Sequence, residues 1–499
     1  MENINAKIAV LCDIHLSAEA RSPQYAWLLR AVEHMKADGI KRVVALGDLT
    51  AFGDPAAWQL YLDAVCDFEH MEIIGNADVR DKKTAAMLQA LTENAEMRLG
   101  DRKILGLNTP NGEISEHDWA RLCGVNDGDV VCLHYYLDAL KEPLKSRFLE
   151  LIGANKLTVL HGHAHRDFDY TVGKSRVLGF RGLDPDKAIG GYPCIHYLTL
   201  GETVGSREIP FTLDRSIPQD VYRFLGVSCV DVLADVEYAL EKNIPYVELR
   251  CDKKSWASDP MQVALIERWR QKTNGFLSVH MPNLKWKDGC VEGVERWREV
   301  LRFALEMNAD HLTVHPPRRT CRRDVLEDSA CFAALLSHYV DMVRQVPQGV
   351  TVGIENLHWD EGEPMDENRC FALIPEEQLL WVDAINDALG TPNRVGCVLD
   401  TGHARNNGKL AKSYPLSRWY AAIGKRAVAY HVHQSVKQAS GQLKNHKPLE
   451  CWYGPMINYC GFLWAWDQEI LNHAPIFLEV KGWENHEKSL KGFQKDFLE

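Results

Sequence analysis

Eight short apolar runs, separated by stretches of helical periodicity, fill the second half of the chain, and most of them close on a residue able to ligate a metal. The runs are Phe224–Ser228, Tyr246–Cys251, Phe276–His280, His311–His315, Thr351–Glu355, Val395–Asp400, Ala427–His433 and Pro475–Val480. Between them, stretches such as Leu233–Lys242, Val291–Met307 and Cys331–Val346 carry helix-compatible patterns. Eight βα units are what a closed (β/α)8 barrel requires, and such a barrel gathers its functional residues at the C-terminal ends of its strands. His280, His315, Glu355, Asp400, His433 and Glu479 stand at those ends.

The first half alternates in the same way, which predicts α/β architecture throughout. Strands are predicted at Ile8–Cys12, Arg42–Leu46, Met71–Ile74, Lys103–Leu107, Asp129–Leu133, Thr158–Leu160, Arg176–Phe180 and Ile195–Leu200, with helices over Ser22–Asp38 and Pro55–Phe68. From Ile209-Pro210 to Ile217-Pro218 the pattern lapses into a proline-punctuated polar stretch. That places one domain at residues 1–212, a link at 213–221 and the barrel at 222–499.

A chain of 499 residues, 46% hydrophobic, supports two large cores. The polar start, Met1 to Lys7, runs straight into Ile8–Cys12 without a signal-like segment, so export is not expected. No apolar run approaches the roughly 20 residues that span a bilayer, so no membrane partner is expected. The 14 cysteines form no C-x-x-C pair, and Cys12, Cys132, Cys229 and Cys397 sit inside apolar runs. Reduced thiols and a cytoplasmic location follow as expectations. A net charge of −12 disfavours bulk attraction to nucleic acid, and composition fixes no oligomeric state.

The first half carries its own ligand set: Asp13-Ile14-His15, Gly47-Asp48, Gly75-Asn76, His134 and Gly162-His163-Ala164-His165. In a strand, residues two apart face one side, so Asp13 with His15, and His163 with His165, are expected to grip one ion together. The glycines let the backbone turn beside each ligand. Asp48 follows a buried strand, where a carboxylate is costly without a cation.

In residues 6–205 this set, in this order, resembles the calcineurin-like metallophosphoesterases, whose fold is a four-layer β-sandwich flanked by helices. The resemblance implies two divalent ions, Mn²⁺ or Fe²⁺/Zn²⁺. Asp13, His15, Asp48 and His165 would hold one, and Asp48, Asn76, His134 and His163 the other, with Asp48 bridging. Such a pair clamps phosphoryl oxygens and supplies a nucleophilic water near neutral pH. Asp48, Asn76 and His134 are therefore the expected catalytic residues. The family commonly has His after the GN asparagine; Ala77 stands there, a departure read as altered substrate choice.

The second half resembles the xylose isomerase-like TIM barrels, and among them the endonuclease IV type. Glu355 in GIEN, Asp400 and His403 in LDTGH, His433 in HVHQ and Glu479 in FLEV match the shared metal framework. His280 in VHMP, His315 in VHPP and His446 in NHKP match the extra ligands of three-metal sites. The resemblance implies one to three Zn²⁺ or Mn²⁺ ions. Glu355 would bridge as a catalytic ligand, His280 and His315 would complete one ion, Asp400, His433 and Glu479 a second, and His403 with His446 a third. Asn445 replaces the usual aspartate beside the histidine and Gln434-Ser435 an acidic pair, so the third ion is expected to bind weakly or not at all. His431 is read as a core or supporting histidine.

Cations cluster after the strand ends: Lys253, Lys254, Lys285, Lys287, Arg318, Arg319, Arg322, Arg323, Arg405, Lys444 and Lys447. An anionic substrate is expected, with Arg318, Arg319 and Arg322 as phosphate forks. Trp286, Trp359, Trp452 and Trp483 follow ligands, and Trp359 is the candidate for stacking on a base or sugar.

The leading expectation is a bifunctional metal-dependent hydrolase of phosphorylated small molecules or nucleotides. The alternatives are a phosphoesterase fused to a sugar (phosphate) isomerase or epimerase, an abasic-site DNA-repair endonuclease, and a binding module with structural metals. Nucleic acid as a partner is possible but not favoured.

Overall fold

In a computed structural model, residues 7–201, 204–253, 256–318, 320–359, 362–364, 370–438 and 443–498 are described. The chain divides into two compact units, Met1–Leu213 with Asn458–Gly461, and Asp214–Ile457 with Phe462–Glu499. Lys254 and Arg319, two of the expected cations, lie outside the described residues.

The first unit contains β1 (Lys7–Leu11), β2 (Arg42–Ala45), β3 (Glu69–Glu72), β4 (Glu96–Leu99), β5 (Arg102–Gly106), β6 (Val130–Leu133), β7 (Thr158–His161), β8 (Phe168–Val172), β9 (Ser175–Gly179), β10 (Cys194–Leu200) and β11 (Val204–Pro210). They form a five-stranded sheet, β11-β10-β1-β2-β3, and a six-stranded sheet, β4-β5-β6-β7-β9-β8. Alternate side chains, among them Ile8, Val10, Ile104, Val130 and Leu160, meet between the sheets in one buried core. On the far face of the six-stranded sheet, Leu105, Val131 and Val159 pack with Leu122, Phe148 and Ile152 of the helices Glu116–Leu122 and Leu144–Ala154. Helices Pro23–Ala37 and Pro55–Val65, capped by Ser22 and Asp54, each bury one face. This is the expected sandwich.

Three strands escape the sequence pattern, and each has an edge-strand reason. Strands β4, β8 and β11 close the ends of their sheets, and few of their side chains are buried, so apolar alternation is missing. Pro210 ends β11 opposite Cys194, a position where the missing N–H costs no central ladder bond. The stretch expected as a link, 213–221, instead runs into the helix Ser216–Tyr222, which buries Pro218 and Val221. Proline in a first helical turn lacks only an N–H that has no intrahelical partner there.

In the second unit β12 (Leu225–Cys229), β13 (Tyr246–Leu249) and β14 (Phe276–His280) are followed by a hairpin, β15 (Lys285–Lys287) and β16 (Cys290–Glu292). Next come β17 (His311–Val314), β18 (Thr351–Glu355), β19 (Val395–Asp400), β20 (Ala427–Val432), a second hairpin β21 (Gln434–Lys437) and β22 (Leu443–Lys447), and β23 (Ile476–Leu478). Strands β12, β13, β14, β17, β18, β19, β20 and β23 close an all-parallel barrel, with β23 pairing back to β12. Each predicted barrel strand is present within two residues at either end.

The barrel interior is polar beneath the site. Glu248, fully buried, accepts hydrogen bonds from Ser228 Oγ (3.2 Å), Ser278 Oγ (3.0 Å) and Thr313 Oγ1 (2.6 Å). His431 Nε2 lies 3.0 Å from its other contact, Oε1. A carboxylate satisfied on all sides tolerates removal from water.

His486, buried in the helix Trp483–Leu498, makes the fold pH-sensitive. Burial pushes its imidazolium pKa down to about 4, against a weak opposing pull from the Ser228 backbone. The unfolded chain protonates this group near pH 6.5, so the unfolded state binds more protons between pH 6.5 and 4 and stability falls as pH falls through that window. The expected loss is about 2 kcal/mol at pH 5. Urea midpoints at pH 7 and 5 check it, and His486→Leu should flatten the difference.

Candidate metal centres

The ligands of the first unit sit just past their strands rather than on them. β1 ends at Leu11 and β7 at His161, while Asp13, His15, Asp48, His163 and His165 all have left-handed φ angles, from 50° to 65°. Left-handed backbone at non-glycine residues is strained and clusters at functional sites. Tight loops rather than strand pleat thus set the pairing: Asp13 and His15 fall in one group, as expected, whereas His163 and His165 part into two groups instead of gripping one ion together. Gly75 is needed for space, since a Cβ there would lie 2.3 Å from Asp48 Oδ1.

Those loops bring the predicted residues together. Asp13, His15 and His165 offer ligand atoms within 4.8 Å of one another, and so do Asp48, His134 and His163. Asp48 faces both groups: Oδ2 lies 3.2 Å from His15 Nε2 and Oδ1 3.4 Å from His134 Nε2. Burial raises its carboxyl pKa, yet His134 and His15 hold it well below the usual range. Asp78 fastens the surrounding loops by accepting from Thr50 N (2.8 Å), Thr50 Oγ1 (2.8 Å) and Gly75 N (2.9 Å).

The donor set fits a cation. The His134 Nδ1–H donates to Leu46 O (2.9 Å), which turns the Nε2 lone pair toward Asn76 Oδ1 at 3.3 Å and His163 Nδ1 at 3.1 Å. With the amide oxygen so placed, three acceptors meet at one point and call for a positive charge between them; with the amide turned over, its NH2 donates instead to His163 Nδ1 (2.8 Å) and His134 Nε2 (3.3 Å). His165 Nδ1 is buried without a hydrogen-bond partner. Behind the ligands, His15 Nδ1 lies 3.2 Å from Asp184 Oδ2, and Gln24 Nε2 donates to Asp184 Oδ1 (3.0 Å). Asp184 stands behind the imidazole, the place that outer partners of metal-binding histidines take. Its loop sequence, Leu183-Asp184-Pro185-Asp186, carries no signal that marks it.

The barrel brings its ligands to the strand ends. His280, Glu355 and Asp400 are the last residues of β14, β18 and β19, while His315, His433 and Glu479 follow β17, β20 and β23 by one residue. Two groups converge within 4.8 Å, His280 with His315 and Glu355, and His403 with His433, His446 and Glu479. His446 comes from β22. Glu355 lies between the groups, with Oε2 at 3.1 Å from His280 Nε2 and 3.0 Å from His315 Nε2, and Oε1 at 3.4 Å from His403 Nδ1. Asp400 lies 3.3 Å from both His403 and His433. Burial pushes the His315 pKa down to about 3, which keeps its lone pair available at neutral pH. Asp400 Oδ2 and Glu479 Oε2 are buried without hydrogen-bond partners. These donors also fit divalent cations. His433 groups with His403 and His446, so the expected partition between a second and a third ion is not visible in the geometry.

Several supporting residues lie beneath this site. His431 places Nδ1 3.2 Å from Glu355 Oε1 and Nε2 against Glu248, so it ties the Glu355 carboxylate to the barrel interior. Arg250 is ion-paired to Glu479 and donates to both oxygens of Asp252, at 2.9 and 3.1 Å. Glu248 and Arg250 were legible in principle, because charges at alternate positions of the apolar run Tyr246–Cys251 must face an interior partner. Asn445 Oδ1 accepts from Ser435 Oγ (2.7 Å) and Asn406 Nδ2 (2.9 Å), a polar cross-link where an aspartate ligand was the family expectation.

The expected substrate contacts divide. Arg322 is ion-paired to Glu377 on the helix Pro375–Leu389, so the expected phosphate fork is a structural one. Arg318 is half-buried on the loop after β17, where it bridges Cys370. Trp359 donates its indole N–H to Glu363 O (2.8 Å) and packs with Leu357, Cys370 and Leu373, a loop-packing role in place of the expected stacking. Trp452 is likewise buried, stacked on Phe493 at 3.9 Å.

The model of the family described as "Xylose isomerase-like TIM barrel" matches residues 236–496, and the chain belongs to that family. Among solved structures the barrel is similar to a D-tagatose 3-epimerase-like protein, at 20% identity and a TM-score of 0.41, covering 55% of this chain and 97% of that one. A D-allulose 3-epimerase from Methylomonas sp. matches at 15% identity and 0.37, over 56% and 94%. An archaeal phosphodiesterase matches at 14% identity and 0.26, over 41% of this chain and 99% of its own. No curated protein matches the chain. No helix among the described residues is long and apolar enough to cross a membrane.

Proposed function

We propose that the first unit is a metal-dependent phosphodiesterase and that the barrel is a second metal-dependent enzyme, which hydrolyses a phosphoester. The observation that carries the first half is Asp48, whose two oxygens face two separate ligand groups. A pair of divalent ions there, Mn²⁺ or Fe²⁺/Zn²⁺, would polarise a phosphoryl oxygen and lower the pKa of water. Asp48 holds the two halves in register, His134 and Asn76 border the space between them, and the Asp184 carboxylate backs His15 at 3.2 Å. For the barrel, Glu355 supports a multinuclear site, since His280, His315 and His403 all approach its carboxylate. Cys12, Cys132, Cys229 and Cys397, buried as small hydrophobes in or beside strands, favour a cytoplasmic location.

A second reading of the barrel is a sugar isomerase or epimerase, in which Glu355, Asp400, His433 and Glu479 hold a single ion. Arg322 favours it, because an expected phosphate fork is committed to Glu377. Purified protein loaded with Mn²⁺ should hydrolyse bis(p-nitrophenyl) phosphate, and no turnover across a panel of phosphomono- and diesters sinks the hydrolase reading. Solvent deuterium appearing in a ketose would assign the barrel to isomerisation.

A further inference from the structure

We propose that Arg80, beside Asn76 and Tyr135, forms the anion subsite of the first unit and hydrogen-bonds an oxygen of a phosphodiester whose departing group is aromatic. The inference rests on the phosphodiesterase reading and deepens it. Three observations point to this place.

Access comes first. Asp13, His15, Asp48 and His134 are buried, whereas Asn76, Arg80, Tyr135 and His163 are each partly exposed, so this edge of the site is open to solvent, as is the edge at His165. The second is a clash of donors. With Asn76 Oδ1 turned to the ligand nitrogens, its NH2 group points at Arg80 Nη2 across 3.2 Å. Two donors facing each other at that distance need an acceptor to share. In the other amide orientation Asn76 Oδ1 itself accepts from Arg80 Nη2 at the same 3.2 Å, so in either orientation the guanidinium stands at hydrogen-bond distance from Asn76. The guanidinium is already positioned, because Nη1 donates to Ala51 O at 2.7 Å.

The third is the wall. Tyr135 lies against the His163 ring at 4.1 Å between centroids, with Tyr136 at 5.9 Å and 36% exposed. The backbone carbonyl of Phe52, a residue 43% exposed, is tied to the residue after Arg80 by the bond from Asp81 N (3.1 Å). An aryl or nucleobase group on the ester fits these faces.

The chemistry follows from what stands near. Ala77 offers no side-chain acid, and its N–H already donates to Asp48 Oδ1 at 2.6 Å. A guanidinium stays protonated and transfers no proton. As the bond from water oxygen to phosphorus forms, the water gives up a proton to solvent, and the ester oxygen leaves with the electron pair of its broken bond to phosphorus, steadied by the hydrogen bond from Arg80, and takes a proton from solvent. The rate should therefore depend steeply on how acidic the leaving alcohol is.

Wild type, Arg80→Ala and Arg80→Lys are compared with metals loaded and counted. Metal content and melting temperature should be unchanged in both variants. For phenyl methyl phosphate, Arg80→Ala should lower kcat about 100-fold, as loss of one charge-stabilising donor does, with a smaller loss for the p-nitrophenyl ester and partial recovery in Arg80→Lys. Inorganic phosphate measured by calorimetry should bind the metal-loaded Arg80→Ala variant about tenfold more weakly, an arm that needs no turnover. Equal phosphate affinity together with equal kcat overturns the proposal. If wild type cleaves no diester yet binds phosphate through Arg80, the phosphodiesterase reading falls and the subsite stands; equal phosphate binding in an inactive wild type removes both.

Discussion

Asp48→Ala is expected to lower hydrolysis of bis(p-nitrophenyl) phosphate on the order of a thousandfold, about 4 kcal/mol of transition-state stabilisation. It should also strip metal from the first unit while the barrel keeps its own. The reason is geometric: one buried carboxylate presents Oδ2 to the group of His15 and Oδ1 to the group of His134, so its removal disables both halves. Glu355→Ala should do the reverse, depleting the barrel alone. Elemental analysis on the two variants, with a melting curve to check folding, makes the comparison. Full metal content and full activity in Asp48→Ala would remove the dinuclear account.

Glu248→Ala should destabilise the barrel by about 3–5 kcal/mol, the usual cost of breaking a buried charged pair from one side. Burial alone would deprotonate His431, yet Glu248 and Glu355 raise its pKa well above the ordinary histidine value. With Glu248 gone, that charge keeps Glu355 (3.2 Å) and Glu479 (3.5 Å) on its Nδ1 side and loses its Nε2 partner, and the hydroxyls of Ser228, Ser278 and Thr313 lose their shared acceptor. A melting point lowered by roughly 10 °C is expected for a unit of this size. A loss under about 1 kcal/mol in urea unfolding would show that the interior relaxes around the gap, and that the polar network is not what holds the strands in place.

Much of the fold was legible because buried parallel strands leave continuous apolar runs and crossover helices leave a different period. Strands such as Val395–Asp400 and Thr351–Glu355 match their predicted bounds. Edge strands β8 and β11 were not legible, since an element with one open side needs no apolar alternation, and Pro210 reads as a breaker unless its neighbour is known. The candidate ligands were legible as residue types at strand ends. The route by which Asp13 and His15 converge was not, because it depends on left-handed turns that tertiary packing imposes on non-glycine residues.

Chain order alone settled which side chains stand at the mouth of each unit, for strand periodicity and the residue closing each strand are local properties. Partner choice was decided only in three dimensions. Arg322 goes to Glu377, Arg250 to Glu479 and His431 to Glu248 and Glu355, across separations of tens to hundreds of residues. A charge is stabilised by whatever lies within a few ångströms once water is excluded, and that neighbourhood exists only after the strands have closed.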